Sequence, residues 1–572
     1  MSSGGQTPEL ESAVDHLVTI LHQPIFTGEI HDILSNLVYY IPRLRRKRKL
    51  EQLVSGFLES QLWSMLLGED RSVLQETAEA IFSWKLSISE PVISVAEFYA
   101  VWDRAIKNCK AWNISKLTVL TGILGTRAKL DTLQTQFFLD DSNSVSGKYR
   151  NWKYELFMPV WRQLFRETMK HSPREAEYLA VLLSCIYENR DVNEVMGEQL
   201  APVLLQLSLT VINDYKKSPS FVSKNLGSIA KTLESTLSKT NIVVVTNALR
   251  AVTATTFDIS LREMHAPRAN YSTQIYSNQL LTVISILRGC LSRPAIPKEW
   301  YSQVIMSLFY VDFIAQDFGK KGFQSYEYIY KISVAGCTVD VAQYYNCLDT
   351  MRGNIYQSSG NNVVNNSRIL YLLNFLEFSL GIVPVTPDFL SEFFVPVVTF
   401  YAASSDANIC EAAQATQLCL YNNKSAGEFL QVWKTTHYLE FLEQSTQRFL
   451  AGVLKSSQLI HIFAAIAQEI PALKPTNPDI SREVLHYTYL LVLNHQKESS
   501  EVVSTLIQCL AQQLPHIKTK YITGWLENII ELIQFCPAQK EKIFDCLWKQ
   551  INSGLLPDDR ALSWFLSSQS KL

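Results

Sequence analysis

Residues 7–42, TPELESAVDHLVTILHQPIFTGEIHDILSNLVYYIP, contain the pattern that decides the fold class. The stretch opens with a threonine N-cap, a proline at the first helical position and a glutamate in the first turn. Apolar residues then recur at helical spacing until Pro24, and a second apolar set ends at Pro42. This arrangement predicts two amphipathic helices separated by proline breaks.

The same rhythm continues along the chain, and strict apolar–polar alternation is rare. Asn241–Val245 could form a strand, but it fits the start of a buried helix better. We find no clean repeat of constant length. The predicted fold class is therefore all-α, an irregular helical-repeat (α-solenoid-like) body of stacked antiparallel helix pairs. Further helices are predicted at 50–67, 72–86, 95–107, 152–169, 175–187, 200–213, 229–237, 278–291, 301–318, 367–380, 439–454, 458–468, 481–493, 501–513, 522–534 and 558–567.

Composition supports a folded helical chain. The 572 residues are 47% hydrophobic and 19% charged, which excludes a mainly disordered protein. Glycine (21 residues) and proline (20 residues) are both scarce, so tight turns are few and β-rich folds are disfavoured. The formal net charge of −2 means that bulk charge predicts neither a nucleic acid nor an anionic membrane as partner.

The residues that carry catalysis or bind metals show no recognisable pattern. The ten cysteines form no C-x-x-C pair, and we expect reduced, mostly buried thiols. The ten histidines are scattered, and the phosphate-, dinucleotide- and zinc-binding motifs and the serine-nucleophile motif are missing. We expect no enzyme activity, catalytic residue, metal, cofactor or small-molecule substrate.

Two features of hydropathy bear on membranes. The first ten residues have neither a basic nor an apolar region, so we expect no secretory signal peptide. The most apolar long stretch, 369–385, contains Glu377 and is shorter than a membrane-spanning helix requires. We expect a soluble or peripherally bound protein.

Polar joints suggest three helical regions. The stretches 140–147, 352–367 and 474–479 are rich in Gly, Pro, Ser, Asn or Asp and mark soft boundaries. The predicted division is an N-terminal region 1–140, a central region 148–352, a C-terminal region 368–566 and a flexible tail 567–572.

A basic run lies between the second and third predicted helices. Its six cationic side chains could form a nuclear signal, a patch for an acidic partner, or a contact for anionic lipid. They could equally be a solvated helix start. The residues are Arg43, Arg45, Arg46, Lys47, Arg48 and Lys49.

Trp161 and Phe165 stand one helical turn apart. Such an aromatic pair could enter a groove on a partner protein. Ordinary helical cores contain the same spacing, and this second interpretation is the more common one.

The last three residues, Ser570, Lys571 and Leu572, match the S-K-L peroxisomal address. A receptor that reads this tripeptide binds the free α-carboxylate and seats the leucine in an apolar pocket. The lysine offers a cation, and the small serine allows close approach of the backbone. Residues 567–569 (SSQ) are predicted to be a polar tether, so we expect delivery to peroxisomes.

Several segments together resemble the yeast peroxin-eight family, a component of the peroxisomal protein-import machinery. The resemblance extends over nearly the whole chain, and no single segment is diagnostic. The segments are 36–44 (NLVYYIPRL), 81–91 (IFSWKLSISEP), 98–102 (FYAVW), 149–161 (YRNWKYELFMPVW), 306–330 (MSLFYVDFIAQDFGKKGFQSYEYIY) and 524–533 (GWLENIIELI).

The resemblance implies a non-enzymatic organiser, peripheral on the matrix face of the peroxisomal membrane. It implies partners of three kinds: docking-complex peroxins, RING-finger peroxins and the cargo receptor, whose cargo release it could assist. Only Ser570, Lys571 and Leu572 carry over residue by residue. A soluble matrix enzyme with an unrecognised active site is the alternative that also explains the tripeptide.

Overall fold

The computed structural model describes residues 8–23, 28–88, 92–136, 145–215, 217–265, 273–318, 324–356, 362–423, 427–552 and 559–569. The chain divides into two compact units, Met1–Tyr330 and Lys331–Leu572. The three regions expected from the polar joints remain a prediction. The sequence-predicted joint at 140–147 lies largely outside the described residues, and in the joint at 352–367 only residues 357–361 lie outside them.

The first unit is a stack of helices in which alternate helices pack most closely. α1, α3 and α5 lie side by side, as do α2, α4 and α6, and the pattern recurs with α11, α13 and α15. The helices are α1 (Pro8–Leu21), α2 (Ile30–Tyr40), α3 (Lys47–Glu59), α4 (Ser72–Ser87), α5 (Val95–Asn108), α6 (Ile114–Gly125), α7 (Arg127–Gln136), α8 (Ser146–Asn151), α9 (Met158–His171), α10 (Pro173–Cys185), α11 (Glu194–Asn213), α12 (Ser220–Lys224), α13 (Leu226–Leu237), α14 (Ile242–His265), α15 (Thr273–Leu291) and α16 (Lys298–Phe318).

The second unit repeats this mode of packing. The division between the units falls within α17 (Gln324–Thr338). A hydrophobic core cluster of this unit extends from Tyr421 to Phe565 and consists mainly of aliphatic and aromatic side chains. The remaining helices are α18 (Val341–Gly353), α19 (Val363–Ser379), α20 (Val395–Ala402), α21 (Ala407–Tyr421), α22 (Glu428–Leu450), α23 (Ser456–Ala467), α24 (Ile470–Leu473), α25 (Ile480–Asn494), α26 (Ser500–Ala511), α27 (Ile522–Ile533), α28 (Lys540–Asn552) and α29 (Asp559–Gln569).

The described residues contain no strand, so the all-α prediction is confirmed. The possible strand Asn241–Val245 is instead the start of α14, with Val245 fully buried. Short 3₁₀ helices make several connections: Ile41–Arg43, Gln61–Met65, Gly68–Arg71, Leu514–His516, Thr519–Tyr521 and Pro537–Gln539.

Two helices begin with a widened π turn. Trp152–Phe157 leads into α9, and Phe389–Phe394 leads into α20. In both cases a proline stands two residues after the π turn, at Pro159 or Pro396. Proline lacks the N–H that closes an α-helical turn, and its ring crowds the carbonyl four residues earlier, so the wider turn relieves both problems.

Two helices of the first unit, α11 and α14, are long and apolar enough to cross a membrane by length and composition, and the sequence analysis did not single out either one. α11 packs against α13, and α14 packs against α16. Core helices of soluble proteins pass the same test, so these two helices are weak evidence for a membrane span.

Candidate functional site

The C-terminal helix α29 carries the predicted targeting tripeptide. Ala561 and Phe565 are buried on one face of α29, which packs on α27 and α28. The Phe565 ring stacks on Trp548 at 5.1 Å between centroids and contacts Phe544 at 5.8 Å. Leu562 and Leu566 remain exposed on the opposite side. This packing holds α29, the helix that residues 570–572 follow in sequence, against the second unit.

The expected polar tether is helical. Ser567, Ser568 and Gln569 form the last turn of α29, and the Ser567 hydroxyl donates to the Trp564 carbonyl at 2.8 Å. Ser570, Lys571 and Leu572 lie outside the described residues. Three residues therefore separate the end of a core-anchored helix from the end of the chain.

A basic-aromatic surface, defined here as Arg43, Arg45, Arg46, Lys47 and Arg48 with the rings of Tyr39 and Trp84, occupies the connection between α2 and α3. Arg43 is its organising residue. Its guanidinium lies over the Tyr39 ring at 4.4 Å and over the Trp84 ring at 5.3 Å. It also donates to the Tyr39 carbonyl at 2.9 Å. The cation thus holds two exposed rings in place.

The remaining cations of the run differ in their exposure and in the ion pairs that they form with α1. Arg46 forms an ion pair with Glu11 of α1 at 2.5 Å, and Lys49 forms one with Asp15. Arg45, Lys47 and Arg48 are exposed. Only part of the run lies on helix α3, and the acids of α1 neutralise only two of its positive charges.

The backbone beneath this surface is firmly held. Leu44 is buried, and its carbonyl accepts a hydrogen bond from the Ile93 amide at 3.3 Å. The Lys85 ammonium, itself buried, donates to the Ile93 carbonyl. Burial lowers the pKa of Lys85 to about 8. These contacts join the α2–α3 connection to the end of α4 and the start of α5.

The structure places Trp161 and Phe165 in the core of the first unit. Both rings are fully buried and stack on each other at 4.8 Å. The Trp161 indole N–H donates to the Leu179 carbonyl of α10 at 2.8 Å. Neither ring is presented to a partner, so the pair is the ordinary core contact that its spacing also allowed.

Sequence reasoning missed a buried ionic cluster beside this core. The Lys153 ammonium contacts the Asp191 carboxylate at 2.8 Å and the Glu188 carboxylate at 3.0 Å. The Tyr154 hydroxyl donates to both acids at 3.0 Å and accepts from the Arg190 guanidinium at 2.7 Å. Burial raises the pKa of Tyr154. The members are about 35 residues apart in sequence, and no local pattern connects them.

The chemistry-bearing groups of the described residues serve the packing. All ten cysteines are free, and seven are buried. A cleft of about 550 Å³ is lined by Tyr356, Tyr401 and Asp406, but the Asp406 carboxylate caps α21 by accepting from two backbone amides. No group of three metal-ligating side chains occurs among the residues that the structure describes.

The described residues form an all-helical body, and its C-terminal helix, anchored in the core of the second unit, precedes the predicted targeting tripeptide. Comparison with known proteins is consistent with that class. The model of the PEX8 C-terminal domain matches residues 432–558, from α22 to just beyond α28. Peroxisomal biogenesis factor 8 of Saccharomyces cerevisiae is 27% identical over 95% of each chain. Its counterpart in Pichia angusta is 20% identical over 94% of this chain and 90% of its own.

These matches confirm the resemblance to the peroxin-eight family that the sequence segments indicated. The region matched by the family model contains most of the core cluster that extends from Tyr421 to Phe565.

Proposed function

We propose that this chain is a peroxisome biogenesis factor that organises protein import from the matrix face of the peroxisomal membrane. In this proposal it is peripheral and non-enzymatic. It bridges the receptor-docking complex and the RING-finger complex, binds the cargo receptor and assists cargo release. The similarity to peroxisomal biogenesis factor 8 supports the coarse assignment to peroxisome biogenesis.

The observation that carries receptor binding is the position of the tripeptide. Residues 570–572 follow directly on a helix whose other face is buried through Ala561 and Phe565. A receptor bound to the Leu572 carboxylate would therefore lie close to the end of α29 in the second unit, because three residues span at most about 11 Å. Stacked helices in each unit also offer separate surfaces for further partners.

Deleting Leu572 is expected to weaken binding to the cargo receptor's tripeptide-binding domain at least tenfold. The deletion removes the apolar side chain and moves the terminal carboxylate that the receptor binds. Adding one alanine after Leu572 should weaken binding equally, because it displaces the carboxylate while every native residue stays. Titration calorimetry with purified full-length chain measures both variants.

The control is Ser567→Ala, which changes an exposed hydroxyl in the last turn of α29 and should leave the affinity unchanged. Unchanged affinity after deletion of Leu572 would contradict receptor binding through the tripeptide.

The bridging role is tested by purification of an N-terminally tagged copy from solubilised peroxisomal membranes. Docking and RING-finger components should co-purify together. Recovery of the receptor alone, or of soluble matrix enzymes alone, would instead favour the alternative, a soluble matrix enzyme carried as cargo.

A further inference from the structure

We propose that the basic-aromatic surface of the first unit binds an anionic membrane surface. This inference rests on the peripheral membrane attachment in the proposed function, and it names the part of the chain that makes the contact. The surface combines outward-facing cations with half-exposed aromatic rings on a backbone that is held rigidly from below.

The charges of this surface face outward. Lys47 and Arg48 are exposed and form no ion pair with any residue that the structure describes. Arg46 is paired with Glu11, but 60% of its side chain remains exposed. Glu51, the next acid along α3, is occupied by Arg104 at 2.8 Å. A cluster of this kind attracts anionic headgroups within a Debye length.

The aromatic rings supply the second element of membrane binding. Tyr39 is 52% exposed and Trp84 is 49% exposed, although both are large amphipathic side chains. Trp and Tyr prefer the headgroup region of bilayers, where the ring is desolvated and the polar atom stays hydrated. Arg43, stacked between them, fixes both rings before binding.

An anionic membrane suits this surface better than an acidic peptide. The cations lie on an extended segment and the first turn of a helix, and the two rings stand on α2 and α4. A flat field of headgroups contacts all of these positions together, without the residue-by-residue match that a peptide needs. The underlying contacts of Leu44 and Lys85 with Ile93 hold the positions in one arrangement.

Vesicle sedimentation with the full-length chain tests the proposal. We expect binding to phosphatidylcholine vesicles that contain phosphatidylserine or phosphatidylinositol, and at least tenfold weaker binding to pure phosphatidylcholine. Lys47→Glu combined with Arg48→Glu should lower binding to anionic vesicles at least tenfold. Both positions are exposed in the first turn of α3, where acidic side chains favour the helix, so the variant should fold.

The matched control is Lys518→Glu combined with Lys520→Glu, the same change in charge at two exposed positions of the second unit. It should bind anionic vesicles as the unaltered chain does. Trp84→Ala should also weaken binding but preserve its dependence on salt, because the ring contributes desolvation and not charge.

Two outcomes would overturn the inference. One is equal vesicle binding by the Lys47/Arg48 variant and the unaltered chain. The other is an unaltered chain that binds polyglutamate but no vesicles, together with a Lys47/Arg48 variant that no longer binds polyglutamate. That result would assign the surface to an acidic protein. Because no receptor is present, a failure here leaves the Leu572 test of the proposed function unaffected.

Discussion

His516 shows how packing sets the protonation of a side chain. It ends the 3₁₀ helix Leu514–His516, and its carbonyl accepts from the Lys474 ammonium at 2.8 Å and the Ser481 hydroxyl at 3.0 Å. Burial, aided by the positive charge of Lys474, lowers the pKa of its imidazole to about 4. The folded chain therefore holds His516 neutral at pH values where an unfolded chain protonates it.

Acid should accordingly destabilise the second unit through His516. The folded pKa of about 4 is below the ordinary histidine pKa of 6.5, so the unfolded state binds more protons between these values. Stability is lost as pH falls from about 6.5 toward about 4. His516→Asn should reduce the fall in Tm between about pH 7 and about pH 5, measured by circular dichroism.

The exposed His486 provides the comparison. His486→Gln should leave the pH dependence of Tm as it is in the unaltered chain. An equal fall in Tm for the unaltered chain and His516→Asn would contradict the role of His516.

The buried Lys153 cluster shows what local sequence cannot reveal. Lys153 and Asp191 are 5% and 0% exposed, and each would be costly to bury alone. Burial alone would raise the pKa of Glu188, but hydrogen bonds from Lys153 and Tyr154 and nearby cations lower it. The residues are compatible with burial only as a group, which the fold assembles.

Among the helices, α6 is one that hydrophobic periodicity in the sequence does not predict. Residues 114–124 of this helix are all buried, so it has no polar face and no amphipathic stripe. The sequence analysis predicted the amphipathic neighbours α4 and α5 but not α6. A helix enclosed on every side carries little 3.6-residue signal, because apolar and small residues occupy every position from 114 to 124 except Lys116.

Gly122 explains how closely α6 approaches α4. A Cβ atom there would lie 2.2 Å from the Gln75 carbonyl oxygen and 3.0 Å from the Ala78 Cβ. Gly122→Ala should therefore destabilise the first unit by about 1–3 kcal/mol through overpacking. The urea midpoint of unfolding measures the effect.

Gly524 of α27 is the matched position, because no atom would lie within 4 Å of its added Cβ. Gly524→Ala should stabilise the chain by about 0.4–1 kcal/mol, since alanine loses less backbone entropy on folding. If both substitutions shift the urea midpoint in the same direction, the close approach of α4 and α6 does not explain the change in stability caused by Gly122→Ala.

At the scale of the whole molecule, the protein has two compact units, each with its own buried core. Calorimetry should then show more than one unfolding transition, and the calorimetric enthalpy should be larger than the van't Hoff enthalpy. Trp161→Ala should lower the transition of the first unit, and Phe463→Ala that of the second, because each removes a fully buried ring. A single transition lowered by both variants would contradict independent unfolding.

The sequence by itself determined the class of fold. Its helical periodicity, its scarce glycine and proline and its capped helix starts are local signals, and local signals suffice for α-helices. The predicted targeting tripeptide 570–572 also comes from sequence alone, because an address of this kind consists of consecutive residues and needs no tertiary contact.

Only the tertiary structure decided which side chains face solvent and which face the core. The one-turn spacing of Trp161 and Phe165 is compatible with a core contact or a partner contact, and in the folded chain both rings are buried. The basic run 43–49 divides into paired and outward-facing cations only because α1 and α4 bring Glu11, Asp15 and Trp84 beside it. Burial and pairing depend on contacts between residues distant in sequence, and those contacts exist only after the helices have packed.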